Sequence, residues 1–124
     1  NTAEYGALYS CMGLSALLTQ QIDLAIQHLS TAIPLVDKPA QLQYYRGVCY
    51  LSKEDVASAL TDFDAAIAGG ETTAICYYNR GVCHLALGHV EELRADMQMV
   101  VSLNEDAELT QLAMEILGQL EGVS

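Results

Sequence analysis

Apolar residues recur every three or four positions along most of this chain, which is the spacing of one face of an α-helix. Between residues 22 and 33, for example, Ile22, Ala25, Ile26, Leu29 and Ile33 recur at this spacing. Short polar stretches interrupt the pattern. It predicts an all-α chain with seven helices, at residues 5–18, 22–33, 40–51, 56–68, 73–87, 90–103 and 107–120.

Helix-breaking residues support these boundaries. Pro34 and Pro39 close the second helix, because proline cannot continue the hydrogen-bond ladder of a helix interior. Gly69 and Gly70 predict the end of the fourth helix. Ser52 is followed three residues later by an acid, which predicts that Ser52 caps the start of the fourth helix.

The last predicted helix is amphipathic. Its polar residues lie away from one apolar stripe, which consists of Leu109, Leu112, Ala113, Ile116, Leu117 and Leu120. A terminal helix of this kind buries its stripe against the core and leaves its other face in water. We therefore expect it to be a cap.

Three glycines lie at a constant interval of 34 residues, each inside a predicted helix: Gly13, Gly47 and Gly81. A helix interior disfavours glycine by about 0.5–1 kcal/mol relative to alanine. Glycine at one fixed interval therefore indicates that another helix packs closely at each of these positions.

The unit of two helices in 34 residues resembles the tetratricopeptide repeat. That family has alanine twelve residues after the glycine and an aromatic residue sixteen after it. The corresponding residues here are Ala25, Ala59 and Leu93, then Leu29, Phe63 and Met97. The second unit matches most closely, through the segment ALTDFDAAI at residues 59–67.

The resemblance implies a right-handed superhelical solenoid of antiparallel helix pairs. It also implies one domain over residues 1–124, with repeats at about 6–39, 40–73 and 74–107 and a capping helix at about 107–121. Structural roles are expected for Gly13, Gly47, Gly81, Ala25, Ala59, Phe63, Ala66, Arg46 and Arg80. For Arg80 we expect Asp62 or Asp64 of the preceding helix as partner, with ligand contact as the alternative.

Charge and cysteine content narrow the function. Sixteen acidic residues against five basic ones give a formal net charge of −11 at pH 7. This disfavours nucleic acids and anionic membranes as partners, because phosphate binding needs Lys and Arg. A neutral or cationic polypeptide fits better, although such a charge also serves simply to keep a protein soluble.

The four cysteines form no CxxC pair and lie among apolar residues, which predicts reduced core thiols and a cytoplasmic location.

No motif in the sequence points to catalysis or to a cofactor. The sequence has no Gly-rich phosphate loop and no GxSxG elbow, so we expect neither an enzyme nor a bound cofactor. A zinc site could be built from Cys76, Cys83, His84 and His89. Structural zinc, however, usually shows short-range Cys/His pairs, and Cys83 matches Cys49 in the repeat, which explains it by packing. No metal site is predicted.

By resemblance, the first helices of the three pairs line a concave groove that binds a partner. The groove residues are then Ser10, Leu14, Gln41, Tyr44, Tyr45, Val48, Ile75, Tyr78, Asn79 and Val82. Most of these side chains are aromatic or aliphatic, and tyrosines with one polar tip are common at binding surfaces. The alternative is that the tyrosines only pack between helices.

Members of the family that bind heat-shock proteins grip an acidic tail with a carboxylate clamp of Lys, Asn and Arg residues. None of the clamp positions matches here, where the residues are Ser10, Leu14, Tyr45, Ile75 and Asn79. The acidic field would also repel an acidic tail. We therefore do not expect carboxylate-clamp binding of heat-shock protein tails.

Three functions stay open from the sequence. The first is a non-catalytic scaffold whose groove takes a peptide or helix of a partner protein with a basic flank. The second is a secretion-type or other chaperone that shields an apolar segment. The third is a structural segment of a longer tetratricopeptide-repeat solenoid that contacts only its own neighbours.

Overall fold

The structure, a computed structural model, describes residues 1–123 of the chain. It contains seven α-helices: α1 Thr2–Leu18, α2 Ile22–Ala32, α3 Ala40–Ser52, α4 Val56–Ala68, α5 Ala74–Leu87, α6 Val90–Leu103 and α7 Ala107–Val123. A turn of 3-10 helix, Ile33–Leu35, follows α2. Residues 1–123 contain no strand, so the predicted all-α class is confirmed. No helix among these residues is long and apolar enough to cross a membrane.

The helices form two compact units. One unit is Asn1–Glu71, in which α1 packs against α2, α3 against α4, and α2 against α3. The other unit begins at Thr72, where α5 packs against α6 and α7 lies on both of them. Consecutive helices joined by short turns are antiparallel neighbours, which is the pairing that the 34-residue period predicts.

The turn inside each helix pair has the same backbone geometry. Its central residue has a positive φ, of 61° at Gln20, 63° at Glu54 and 77° at Gly88. The next residue donates its N–H to a carbonyl five residues back, with N···O distances of 2.8 Å (Gln21 to Ala16), 2.9 Å (Asp55 to Tyr50) and 2.8 Å (His89 to His84). These positions are 34 residues apart, so the period seen in the glycines also governs the turns.

The starts of α1 and α5 and the cap of α4 differ from the prediction, and α1 begins three residues early, at Thr2. Ser52 is the last residue of α3, and the cap of α4 is Asp55, whose side chain accepts from the Ser58 N–H at 3.3 Å. The prediction that Ser52 caps α4 was therefore wrong, because the preceding helix continues through it. Thr73 lies just before α5 and caps it by accepting from the Cys76 N–H.

The core of the first unit depends on close approach between paired helices. Ala25, Leu29 and Ala32 of α2 are fully buried together with Cys49 of α3. A Cβ atom placed on Gly13 would lie 2.8 Å from the Leu29 Cγ atom, and one placed on Gly47 would lie 2.8 Å from the Phe63 ring. Both neighbours are sixteen residues further along the chain, on the partner helix.

The same arrangement occurs in the second unit, where a Cβ on Gly81 would collide with the side chain of Met97. Met97 is also sixteen residues further along, and it is fully buried. Each of the three evenly spaced glycines thus faces a buried side chain across its own helix pair.

Replacing Gly47 with leucine is predicted to lower the free energy of unfolding by about 3 kcal/mol or more, because the fully buried Phe63 ring leaves no room for a side chain. Gly118 of α7 provides a matched control, since nothing lies within 4 Å of a Cβ placed there. Gly118→Leu is expected to be neutral or to stabilise by up to about 1 kcal/mol through helix propensity. Urea denaturation measures both; equal effects would contradict the close approach at Gly47.

Candidate functional site

Arg46 ties together three helices of the first unit. Its Nε and Nη2 atoms donate to the two carboxylate oxygens of Asp62 on α4, at 2.8 and 2.7 Å. Its Nη1 atom donates to the hydroxyl of Ser30 on α2, at 3.2 Å. Asp62 is buried, so a bidentate charged pair satisfies a carboxylate that would otherwise be costly to remove from water.

Arg80 makes the corresponding pair in the second unit. Its Nε and Nη2 atoms donate to the buried carboxylate of Asp96 on α6, at 3.0 and 2.7 Å. For Arg80 we expected Asp62 or Asp64 as partner, and Asp62 is instead the partner of Arg46. Asp96 was not predicted, because only the preceding pair was considered, whereas residues sixteen apart face each other within one pair.

The Arg46 pair also affects the ionisation of its surroundings. The hydrogen bond with Asp62 raises the pKa of Arg46, and the carboxylate's charge adds to this, while burial opposes it. Burial raises the pKa of the Cys49 thiol, and the charge of Asp62 raises it further. Cys49 is therefore a protonated packing residue at neutral pH, without the thiolate character of a nucleophile.

In the first unit, the predicted groove residues divide between packing and exposure. Tyr44 is half-buried, and its ring centroid lies 5.4 Å from that of Tyr45 and 5.8 Å from that of Phe63. Tyr45 packs on the buried core. The Ser10 hydroxyl donates to the Gly6 carbonyl of its own helix at 2.7 Å. Both tyrosine rings thus pack between helices over much of their surface, which was the alternative to a binding role.

The other predicted residues of the first unit are less engaged. Leu14 of α1 and Val48 of α3 are half-buried, and Gln41 is exposed. In the second unit, Ile75 is 42 % exposed, whereas Tyr78, Asn79 and Val82 are half-buried on α5.

A cleft of about 450 Å³ lies in the second unit, between the start of α5 and the first turns of α7. Its lining consists of Thr73, Ala74, Ile75, Glu105, Asp106, Glu108, Leu109 and Leu112. Of the ten predicted groove residues, Ile75 is the one in this lining. The lining residues on α7 were assigned to a cap and not to a binding surface, and those of the turn before it fell in the third repeat.

Two acidic residues stabilise the turn between α6 and α7, which forms part of this cleft. The Glu105 carboxylate accepts a hydrogen bond from the Ala74 N–H, which fixes the turn to the first residue of α5. Asp106 accepts from the Leu109 N–H at 2.9 Å and so caps α7. Both carboxylates therefore bind backbone N–H groups at helix starts, Glu105 at α5 and Asp106 at α7. The same hydrogen bonds fix the shape of the cleft.

The cleft combines an apolar wall with an acidic rim. Ile75, Leu109 and Leu112 supply the wall, and Glu105, Asp106 and Glu108 supply three carboxylates; no basic residue is among the described residues that line it. Leu112 is 45 % exposed, so its assignment to a buried stripe was wrong. The stripe of α7 that packs inward runs through Ala113, which is fully buried, and Leu112 lies at its edge, facing the cleft.

The cysteines that were weighed as zinc ligands lie apart from this cleft. Cys76 and Cys83 are fully buried on α5. The His84 and His89 side chains instead come together with Glu92 at the turn between α5 and α6. His84 and His89 were among the candidates taken from the sequence, whereas Glu92 was not, so the turn geometry adds the third member of the cluster.

The fold is that of known tetratricopeptide-repeat (TPR) domains. No protein-family model and no curated protein sequence matches the chain. Among solved structures, the TPR domain of Arabidopsis OM64 superposes with a TM-score of 0.85 at 20 % identity, over 96 % of this chain and 98 % of that one. The second TPR domain of human RPAP3, solved with the HSP70 peptide SGPTIEEVD, gives a TM-score of 0.82 at 19 % identity, over 98 % of both chains.

A bacterial chaperone has the same fold. The Yersinia enterocolitica type III secretion chaperone SycD, solved with a peptide of the translocator YopD, gives a TM-score of 0.83 at 11 % identity, over 93 % of this chain and 91 % of that one. At these identities the likeness establishes the fold, and the predicted TPR architecture is confirmed.

Proposed function

We propose that this chain is a non-catalytic protein-interaction module that binds a short apolar segment of a partner protein, flanked by basic residues. The observation that carries the proposal is the cleft beside Ile75, Leu109 and Leu112 and its rim of carboxylates. Ile75 and Leu112 are exposed in its aliphatic wall, and Leu109 is half-buried. Solved domains of this fold hold partner peptides, which is consistent with such a role.

The size of the cleft favours a few side chains of a peptide. A volume of about 450 Å³ lies at the lower end of the range for small-ligand sites, which runs from about 300 to 1,000 Å³. It could accept one or two large aliphatic side chains, while the rest of the segment extends along α5 past Tyr78 and Val82. On an amphipathic partner helix, side chains three or four positions apart lie on one face. Such side chains would reach the cleft and the neighbouring surface of α5 together.

The charge around the cleft favours a cationic flank on that segment. Glu105, Asp106 and Glu108 border the apolar wall, and the chain as a whole carries a formal charge of −11. Lys or Arg next to the apolar anchor would gain from this field, chiefly in the rate of association. The remaining predicted groove residues are proposed as further partner-binding positions of one TPR domain, each within its own unit. These are Ser10, Leu14, Gln41, Tyr44, Tyr45 and Val48 in the first unit and Asn79 in the second.

We place the protein in the cytoplasm. None of the four cysteines forms a disulfide in the part of the chain that the structure describes, which is consistent with a reducing compartment.

Peptides selected from a random display library on the purified chain are predicted to carry Leu, Ile or Met beside Lys or Arg. Leu112→Asp is expected to weaken the best peptide at least about tenfold, because a carboxylate would replace the apolar wall. Met114→Asp is the matched control: Met114 lies on the same helix and is 51 % exposed, but it is outside the cleft lining. Fluorescence anisotropy measures the affinities.

Three results would contradict the proposal: equal losses in the two variants, selected peptides without basic residues, or affinities that do not fall as salt is added. The HSP70 peptide SGPTIEEVD serves as the acidic control probe. It is expected not to bind, because this chain lacks the clamp residues and repels carboxylates; tight binding of that peptide would overturn the predicted preference for basic partners.

A second candidate function is that of a segment within a longer TPR solenoid. Tyr5, Leu8 and Met12 form an apolar stripe on α1 and are 59 %, 52 % and 37 % exposed. Leu8 corresponds through the 34-residue period to Leu42, which is 7 % exposed and packs in the core that α2 and α3 share. The exposed stripe therefore occupies the position that a preceding helix pair would cover.

Fusing a consensus TPR helix pair in register before α1 is predicted to raise the melting temperature of the chain by covering this stripe. Leu8→Lys is expected to remove that gain. Leu18→Lys is the control, since Leu18 is 85 % exposed at the far end of α1, and the gain should persist in it. A gain that is the same in all three fusions, or absent from all, would contradict this second function.

A further inference from the structure

Three metal-binding side chains converge at the turn between α5 and α6. One ligand atom from each of His84, His89 and Glu92 lies within 4.8 Å of the others. The Nδ1 atoms of the two histidines are 3.1 Å apart. Two donors of one tetrahedral zinc site, each about 2.0–2.1 Å from the ion, are separated by about 3.3 Å. The observed separation of the imidazoles is therefore close to the one that a shared ion requires.

The backbone of the turn brings these side chains together. Gly88 adopts a φ of 77°, and the His89 N–H then donates to the His84 carbonyl at 2.8 Å. This bond folds His89 back over the last turn of α5. Glu92 follows three residues later in the first turn of α6, on the same face as His89. The side chains thus converge through a hydrogen-bonded turn of defined backbone geometry.

The turn itself does not need histidine. The same backbone hydrogen bond and positive φ occur in the other two helix pairs. There the positions of His84 and His89 are held by Ala16 with Gln21, and by Tyr50 with Asp55. Because three chemically unrelated pairs support one backbone geometry, folding alone does not account for the pair of imidazoles in the third.

A buried carboxylate stands behind the cluster. The Nε2 atom of His84 lies 4.0 Å from the Asp96 Oδ2 atom, and the Asp96 side chain is 2 % exposed. Arg80 holds that carboxylate in place from the other side. Histidines that bind metals commonly direct their second ring nitrogen to a carboxylate, which orients the ring and raises its basicity. His84, itself only 12 % exposed, has such a neighbour.

We propose that this turn binds a divalent transition-metal ion, Zn²⁺, through His84, His89 and Glu92, with water at the remaining position. Two imidazole nitrogens and one carboxylate oxygen suit Zn²⁺ and exclude hard ions such as Mg²⁺ and Ca²⁺ as the preferred occupant. The bound ion would join the end of α5 to the start of α6. No metal site was predicted from the sequence, where Cys76, Cys83, His84 and His89 were the candidates. Cys76 and Cys83 are buried elsewhere on α5, and Glu92 had not been considered.

The test is calorimetric titration of the chain with zinc chloride, in a Cys11→Ser background. Cys11 is an exposed thiol that shares a surface depression with His28, so its removal excludes a competing site. One Zn²⁺ per chain is expected, with a higher melting temperature when zinc is present. His89→Ala and Glu92→Gln are each expected to weaken binding at least about tenfold.

These variants should leave the fold intact. His89 and Glu92 are exposed, and the His89 side chain makes no capping hydrogen bond to α6. His28→Gln is the matched control, because it removes the third histidine of the chain from a different helix pair, and it is expected to bind zinc as the background protein does. Circular dichroism verifies that each variant is folded.

Absence of zinc binding at submillimolar concentration would overturn the proposal and leave a simple hydrogen bond between the two imidazoles. An equal loss in His28→Gln and His89→Ala would overturn it as well, since the site would then lie elsewhere. So would one zinc ion per two chains together with a dimer in sedimentation, because the ion would then bridge two molecules at the surface.

Discussion

Contact between residues sixteen apart, across each antiparallel helix pair, is the constraint on which the rest of this structure depends. Gly47 admits the Phe63 ring at a distance that no side chain would allow, and the neighbouring Arg46 reaches the Asp62 carboxylate. The close contact of Gly47 with Phe63 and the buried ion pair of Arg46 with Asp62 therefore require the same register of α3 against α4. Burying Asp62 is tolerable only because the guanidinium satisfies both of its oxygens, so the ion pair favours this register over others.

The register of the second helix pair also positions the two proposed binding sites. In the second unit, the pairing of α5 with α6 produces the turn in which His84 and His89 meet, and it orients α5 so that Ile75 faces the first turns of α7. The cleft and the proposed zinc site thus lie on opposite ends of α5. One site is built from apolar walls and carboxylates suited to a basic segment, and the other from imidazoles suited to a metal ion.

The helices could be predicted from the sequence to within three residues at every end, because a 3.6-residue apolar period and a 34-residue glycine period agree with each other. The cleft could not be predicted in this way, because it forms where Glu105, in the turn after α6, accepts a hydrogen bond from the start of α5. Leu112 illustrates the limit: periodicity places it beside the buried Ala113, while its 45 % exposure depends on where α7 lands. The convergence of the histidines likewise depends on a positive φ that Gln20, Glu54 and Gly88 share without sharing any chemistry.

A double-mutant cycle on Arg46→Gln and Asp62→Asn, followed by urea denaturation, tests the cross-pair register most directly. The account predicts a coupling of about 1–3 kcal/mol, as expected for directly contacting partners in a buried network. The exposed pair of Lys53 and Asp23 is the control, and its coupling is expected to be near zero because solvent screens it. Additive effects of the Arg46 and Asp62 substitutions would contradict the claim that this contact holds the helix pair in register.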